Sequence, residues 1–400
     1  MVIENESRSE PTVPQATGKL FTADFVLLCV GSIFFYFSFH MLLPTLPTYI
    51  LKLGGDERQV GLIIGAFATS ALLCRLPIGW LLDRSGATKG LIVAGTLLFL
   101  ASSILYGFAR TVLAVLAIRF LHGAGMGAYN TASSTLAAHI TPVRRRGEGL
   151  GIFGMASNLS MAVGPAAGVA ILGANSYSLL FGASAAAALI GVALALPLRN
   201  HSSFESHATH RRRGAFYSRE ALFPSAVIFL ACLTYGVMVS FLPLFAIERE
   251  LGNAGLFFLP FAVSVAAARA PAGRLSDRYG RAALIAPGMA LVAGAMALLS
   301  HTHALCTLMT AAVIYGVGFA CAHSPLMALA VDRTPPNERG IAMGTFTAAW
   351  ELGIAGGSVF SGYLLAATSF ETMFLAAAAA AVLGGVVFTI GNVRNARDRR

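Results

Sequence analysis

The chain reads as a succession of long apolar runs separated by short polar connections. Each run approaches or exceeds the roughly 20 residues that a helix needs to cross a bilayer. Scanning for that length predicts twelve helical spans. The first six are 24–50, 59–82, 89–108, 112–138, 148–173 and 177–197. The other six are 221–247, 254–276, 282–300, 304–331, 340–367 and 370–391. They are numbered 1 to 12 in chain order below. The first apolar run, from Leu20 to Ile50, is too long for the core of a signal peptide and reads as a retained span.

One connection is longer than the rest. Residues 198–220 carry Arg199, His201, His207, His210, Arg211, Arg212, Arg213 and Arg219, and split the chain into six spans and six. The predicted organisation is a disordered cytoplasmic tail at 1–19, a six-helix unit at 20–197, a basic cytoplasmic linker at 198–220, a second six-helix unit at 221–392 and a basic cytoplasmic tail at 393–400. The positive charges set the orientation. With the N-terminus inside, 21 of the 28 Lys and Arg residues fall in cytoplasmic segments. Lys52, Arg58, Arg110 and Arg249 fall outside, and Arg75, Arg119 and Arg269 lie within spans. That asymmetry is the positive-inside pattern, and it places both termini in the cytoplasm.

Composition narrows the function classes. Hydrophobic residues make up 56% of the chain, charged residues 12%, and the mean hydropathy is +0.72. An ordinary soluble domain has about 25% charged residues. A surface this poor in charge excludes a cytosolic enzyme, a disordered chain and a secreted disulfide scaffold. The net charge of +10 belongs to basic loops beside anionic lipid rather than to a nucleic-acid site, because the basic residues lie between apolar segments. Cys29, Cys74, Cys232, Cys306 and Cys321 all lie in apolar stretches without a CxxC pair, and read as small buried hydrophobes.

The two halves repeat each other. Arg75, Pro77, Gly79, Leu81, Asp83, Arg84 and Gly86 recur 194 residues later as Arg269, Pro271, Gly273, Leu275, Asp277, Arg278 and Gly280. Thr141-Pro142 and Arg146-Gly147 recur 193 residues later as Thr334-Pro335 and Arg339-Gly340. Pro44 near the end of span 1 matches Pro243 near the end of span 7. Landmarks in the same order imply a parallel duplication, with the substrate path between the units.

At these residues the sequence resembles the major facilitator superfamily. The loop signature Gly-x-Leu-x-Asp-Arg-x-Gly with a following basic residue is matched twice, by Gly79 to Lys89 and by Gly273 to Arg281. Arg119-Phe-Leu-His122-Gly123 in span 4 is similar to a pattern of the drug–proton antiporter branch, which also includes sugar-efflux and metallophore exporters. Gly164-Pro165-Ala-Ala-Gly168 in span 5 is similar to a packing and hinge element of exporters, although Ser160 and Val169 stand where glycines are usual. The resemblance implies an all-α membrane protein with twelve transmembrane helices in two pseudo-symmetric six-helix bundles. It implies a plasma-membrane carrier, in bacteria the inner membrane, that acts as a monomer, is not an enzyme and uses no cofactor. It also implies that Gly79, Asp83, Arg84, Gly86, Gly273, Asp277, Arg278 and Gly280 form conformational clasps at the cytoplasmic ends of spans 2 and 8.

Individual residues suggest the chemistry. Glu351 lies near the middle of span 11, where its repeat partner is Asn158. A carboxylate at that depth can change charge near physiological pH, as a proton-coupling group must. Arg119 likewise has no charged counterpart, since position 312 is alanine. His40 stands where drug antiporters of this family often carry aspartate. His323 lies in span 10, which lines the cavity in this family. Asn130 and Asn158 are polar candidates for the cavity, and Tyr36, Phe37, Tyr235 and Met238 are aromatic and methionine candidates. Arg75 and Arg269 read as structural ion-pairing residues. The spacing of the histidines supports no metal site. Without a GxxxxGK[ST] loop, ATP-driven transport is not indicated.

The resulting expectation is proton-coupled efflux of a small organic molecule by alternating access, with protons and the lipid bilayer as partners and no nucleic acid. An uptake symporter or uniporter on the same fold stays open, as does a non-transporting receptor or scaffold.

Overall fold

The computed structural model describes residues 19–142, 145–173, 176–199, 217–252, 255–335 and 338–397. Most of the 198–220 linker and nearly all of the 1–19 tail lie outside the described residues, as do the side chains of Asp83 and of residues 393–400. Every regular element among the described residues is a helix. Eleven are long and apolar enough to cross a membrane when the two pieces of span 1 are counted together. The twelfth, Arg339–Ala367, has the length but is less apolar, because glycines, hydroxyl residues and Glu351 interrupt it. The fold is thus the expected twelve-span helical bundle.

Span 1 departs from the sequence reading. It is not one helix over 24–50 but a helix at Ala23–Leu42 followed by a short one at Leu46–Lys52. Pro44 offers no N–H to the His40 carbonyl, which the Leu43 N–H takes instead while Leu43 keeps helical angles, and Pro47 opens the second helix. Threonine hydroxyls add bonds to the carbonyls around the break: Thr45 donates to Met41 and Leu42, and Thr48 to Thr45. Spans 2, 5 and 7 run unbroken through Pro77, Pro165 and Pro243.

Each six-helix unit uses the same neighbours. Span 1 packs on spans 5 and 6, span 4 on spans 2 and 3, and span 3 on span 6. In the second unit span 7 packs on spans 11 and 12, span 10 on spans 8 and 9, and span 9 on span 12. The units meet where span 2 crosses span 11 and span 5 crosses span 8. Leu97, Ile104, Leu189, Ile190, Leu291, Val382 and Val386 lie exposed on the outer spans 3, 6, 9 and 12. Such a surface is solvated by lipid rather than by water.

Glycines reveal how the seam between the units is shaped. A Cβ on Gly61, Gly65 or Gly362 would run into the backbone or side chains of the facing span, 2 against 11. These residues lie toward the end of the bundle opposite the termini. Gly79, Gly151, Gly154, Gly273 and Gly344, at the end carrying the termini, have no such neighbour within 4 Å. The units are therefore pressed together at the far end and parted at the end carrying the termini. Gly164 and Gly168 press span 5 onto His40 and Met41 of span 1, a packing role that fits the Gly-Pro-x-x-Gly spacing.

The second loop signature builds a clasp inside its own unit. Gly280 adopts φ 88°, a left-handed conformation that favours glycine and turns the chain at the end of span 8. Arg281 then reaches Asp277, and 3.0 Å away Asp332 at the end of span 10. Its Nη1 also donates to Ser276. The first unit has Ala87 and His139 at the repeat-related positions, so it lacks this arginine link. In that unit Gly86 has φ 61° and Arg84 covers the ring of Trp80. Arg278 similarly lies against Tyr279. Because the Arg281 partners are about half exposed or more, Arg281→Ala should cost at most about 1 kcal/mol. Thermal unfolding in detergent should show a small shift, and amide exchange should rise around 277–281 and 332–334 while the rest is unchanged.

Cysteine burial differs from the expectation. Cys232 is fully buried, Cys29, Cys74 and Cys321 are partly so, and Cys306 is exposed at the start of span 10. No group of three or more His, Cys, Asp or Glu residues is arranged to hold a metal among the described residues.

Candidate functional site

Arg75 and Glu351 meet across the seam. Span 2, Glu57–Ser85, carries Arg75 two residues before Pro77. Span 11, Arg339–Ala367, carries Glu351 near its middle. Arg75 Nη2 donates to Glu351 Oε1 at 2.7 Å. The side chains are 23% and 13% exposed, so the pair sits deep but in reach of the opening. The bond is single rather than bidentate, and the Nε–H of Arg75 is buried without an acceptor. Charge-assisted hydrogen bonds of this kind are roughly twice as strong as neutral ones. The site therefore joins the two units by a bond whose strength depends on the charge of one carboxylate.

Polar and aromatic groups surround this pair. The Tyr36 hydroxyl, close enough to both charges to feel them, donates to Asn130 Oδ1 at 2.7 Å. Across the seam, the Tyr235 hydroxyl of span 7 points at the sulfur of Met161 in span 5, 3.8 Å away. Tyr235 lies beside Phe261, Phe319 and Trp350, with ring centroids 5.9–6.4 Å apart. His323 packs edge-on against Trp350 at 4.7 Å and parallel to Phe319 at 6.0 Å. Trp350 immediately precedes Glu351. One wall is thus an ion pair with a tyrosine–amide link, and the other is a stack of rings.

The remaining candidates sit elsewhere. His40 is 5% exposed, and its Nδ1 bonds the Tyr36 carbonyl at 2.8 Å. Met238 is fully buried in the core of the second unit, and Phe37 packs against a core cluster. Asn158 is half-buried. Arg269, the repeat partner of Arg75, is exposed in the parted end of the seam and close enough to His323 to act on it electrostatically.

Arg119 lies in its own cage within the first unit. It is 1% exposed. Its guanidinium stacks on Phe67 at 4.4 Å and lies 5.9 Å from Phe39. Its Nη1 is 3.4 Å from His122 Nδ1, while the Tyr106 hydroxyl is 3.3 Å from the same nitrogen. No carboxylate lies within salt-bridge distance of Arg119 among the described residues. A desolvated cation–π contact is worth about 2 kcal/mol. Removing an ion from water costs several kcal/mol even after relaxation, so the rings offset only part of that cost.

Four members of the site escaped the sequence reading: Met161, Phe261, Phe319 and Trp350. Trp350 had a usable signal, as one of only two tryptophans and the neighbour of Glu351. Met161 had none, because nothing in its surroundings says that it faces Tyr235.

Comparison with known proteins fits this geometry. A model of the Major Facilitator Superfamily matches residues 28–268 and again 225–399, overlapping between the two units. An uncharacterised MFS-type transporter of Methanocaldococcus jannaschii is 25% identical over 355 residues, 86% of this chain and 92% of that protein. The staphylopine export protein of Staphylococcus aureus is 21% identical over 373 residues, 88% of this chain and 91% of that one. Among solved structures, a POT family transporter in complex with 5-aminolevulinic acid superposes with a TM-score of 0.79 at 14% identity, covering 94% of this chain and 98% of its own. That likeness concerns the fold.

Proposed function

The chain belongs to the major facilitator superfamily, and on that premise we propose that it exports a small organic molecule from the cytoplasm in exchange for protons. The observation that carries this reading is the Arg75–Glu351 bond across the seam, at the closed end of an opening between two pseudo-symmetric units. The positive-inside pattern supports a cytoplasmic parted end, and the proposal places the carrier in the plasma membrane. The carrier is then inward-open, with both termini inside.

Exchange follows from the charges. Empty and deprotonated, Glu351 holds Arg75 and keeps the far end shut. A proton on Glu351 removes the charge that makes the bond strong. A substrate that takes over either partner has the same effect. Both loaded forms can therefore reorient, while the empty form stays latched, which is the requirement for exchange rather than leak. The rings of Tyr235, Phe319 and Trp350 suit an apolar or flat part of the substrate, and the Arg75–Glu351 pair suits a charged part. Export, rather than uptake, draws support from the likeness to a protein named for staphylopine export and from the Gly164-Pro165-x-x-Gly168 element.

The test uses inverted membrane vesicles with an acid interior, challenged with cationic drugs, sugars, organic anions and amino-acid-derived metallophores. At least one class should dissipate the pH gradient through wild type and not through Glu351→Gln. Dissipation of equal size in both proteins would contradict the proposal. Substrate uptake that alkalinises the opposite compartment would assign symport instead.

A further inference from the structure

We propose that Arg119 and His122 hold a small monovalent anion inside the first six-helix unit, in a site separate from the Arg75–Glu351 pair. The argument starts from hydrogen-bond accounting. A guanidinium has donors only and keeps its charge in a protein. With Arg119 Nη1 donating to His122 Nδ1, that nitrogen must present its lone pair, so the histidine proton sits on Nε2. His122 Nε2 is buried with no partner, and so is Arg119 Nε. The two residues are 0% and 1% exposed. The cage thus contains one full positive charge and two N–H donors without a partner, while its other polar side chain, the Tyr106 hydroxyl, is taken up by His122 Nδ1 and the guanidinium.

The first unit supplies no carboxylate to this cage. From residue 20 to 197 the acidic residues are Asp24, Asp56, Glu57, Asp83 and Glu148, all at or near helix ends. None lies in the stretch of span 4 or its neighbours that surrounds Arg119. Phe67 covers a face of the guanidinium, which leaves the edge, where the donors are, for a ligand. A single charge with edge donors and aromatic walls calls for a compact anion of charge −1. Two sources offer this chemistry: a free halide, or a carboxylate on a transported molecule.

The experiment measures thermal unfolding of the detergent-purified full chain while chloride, bromide, nitrate, formate or acetate replaces gluconate at constant ionic strength. A saturable rise with the halides and nitrate assigns a free inorganic anion, and a rise confined to formate and acetate assigns a carboxylate. Either rise should vanish in Arg119→Gln. In Arg119→Lys, which keeps the charge but loses the planar fork, half-saturation should need about tenfold more anion. If Arg119→Gln does not fold, the Arg119→Lys shift decides, and where the halides stabilise, bromide anomalous scattering from the wild type should also place its peak beside Arg119. No saturable effect from any anion, half-saturation unchanged in Arg119→Lys, an effect that persists in Arg119→Gln, or, where the halides stabilise, bromide bound only elsewhere would overturn the proposal.

Discussion

Glu351→Gln should leave a protein that exchanges substrate across the membrane yet no longer accumulates it against a gradient. Glutamine keeps the size of the side chain and can still accept from Arg75, but only through a neutral acceptor. Nothing at the position can then bind or release a proton. In one-for-one exchange with a proton, each pH unit is worth about 1.4 kcal/mol and supports about a tenfold substrate gradient. The variant should lose that factor entirely, while counterflow with equal pH on both sides persists. Arg75→Met should behave differently. It leaves the carboxylate without its partner, a change that costs about 3–5 kcal/mol for a fully buried pair and less here, where water reaches both groups. Transport should slow in both assays. Accumulation by Glu351→Gln at the wild-type level would remove the carboxylate from the mechanism.

The second large effect concerns the far-end seam. A side chain at Gly61 would overlap the Ser358 carbonyl, and one at Gly362 would meet the Glu57 carbonyl at 2.5 Å. Neither backbone can yield without moving a whole span. Overpacking of this kind costs about 1–3 kcal/mol. In the proposed cycle spans 2 and 11 come this close only while the far end is closed, so the cost falls on that state. A free-energy difference of that size shifts the two-state ratio by roughly 5- to 150-fold. Gly61→Val should therefore open the far end, expose residues there to membrane-impermeant thiol reagents after single cysteine substitution, and suppress transport. Gly182→Val, in open space on the outer face of span 6 and away from the seam, should do neither. Equal behaviour of the two variants would refute the assignment of the closed end.

Much of this was legible in the sequence because membranes impose a simple code. Length of apolar run gave the spans, and the repeated Asp-Arg-x-Gly turns gave the two units. Glu351 stood out because a carboxylate in such a run is costly. What the chain could not disclose is which spans are neighbours. Arg75 reads as structural from its repeat partner Arg269, yet among the described residues only Arg75 of the two finds a carboxylate, because Glu351 aligns with Asn158 rather than with another acid. The symmetry visible in sequence hides the asymmetry that matters. Arg119 shows the converse. Its lone position made it a candidate for the chemistry alongside Glu351, whereas its side chain turns into Phe39, Phe67 and His122. Helix rotation decides that, and packing rather than local sequence sets helix rotation. The break in span 1 was within reach, since Pro44 and Pro47 flank it, but Pro243 shows that a proline alone does not end a helix here.

The central claim is that the charge of Glu351 sets the balance between the two ends of the carrier. The most direct measurement is the distance between spin labels at positions 110 and 301, exposed far-end sites in different units, in the detergent-purified chain across a pH series. Wild type should show a short distance at high pH and a growing long-distance population as pH falls. Glu351→Gln should show the long-distance population at every pH. A pH series that leaves the wild type unchanged, or that moves wild type and Glu351→Gln alike, would contradict the account.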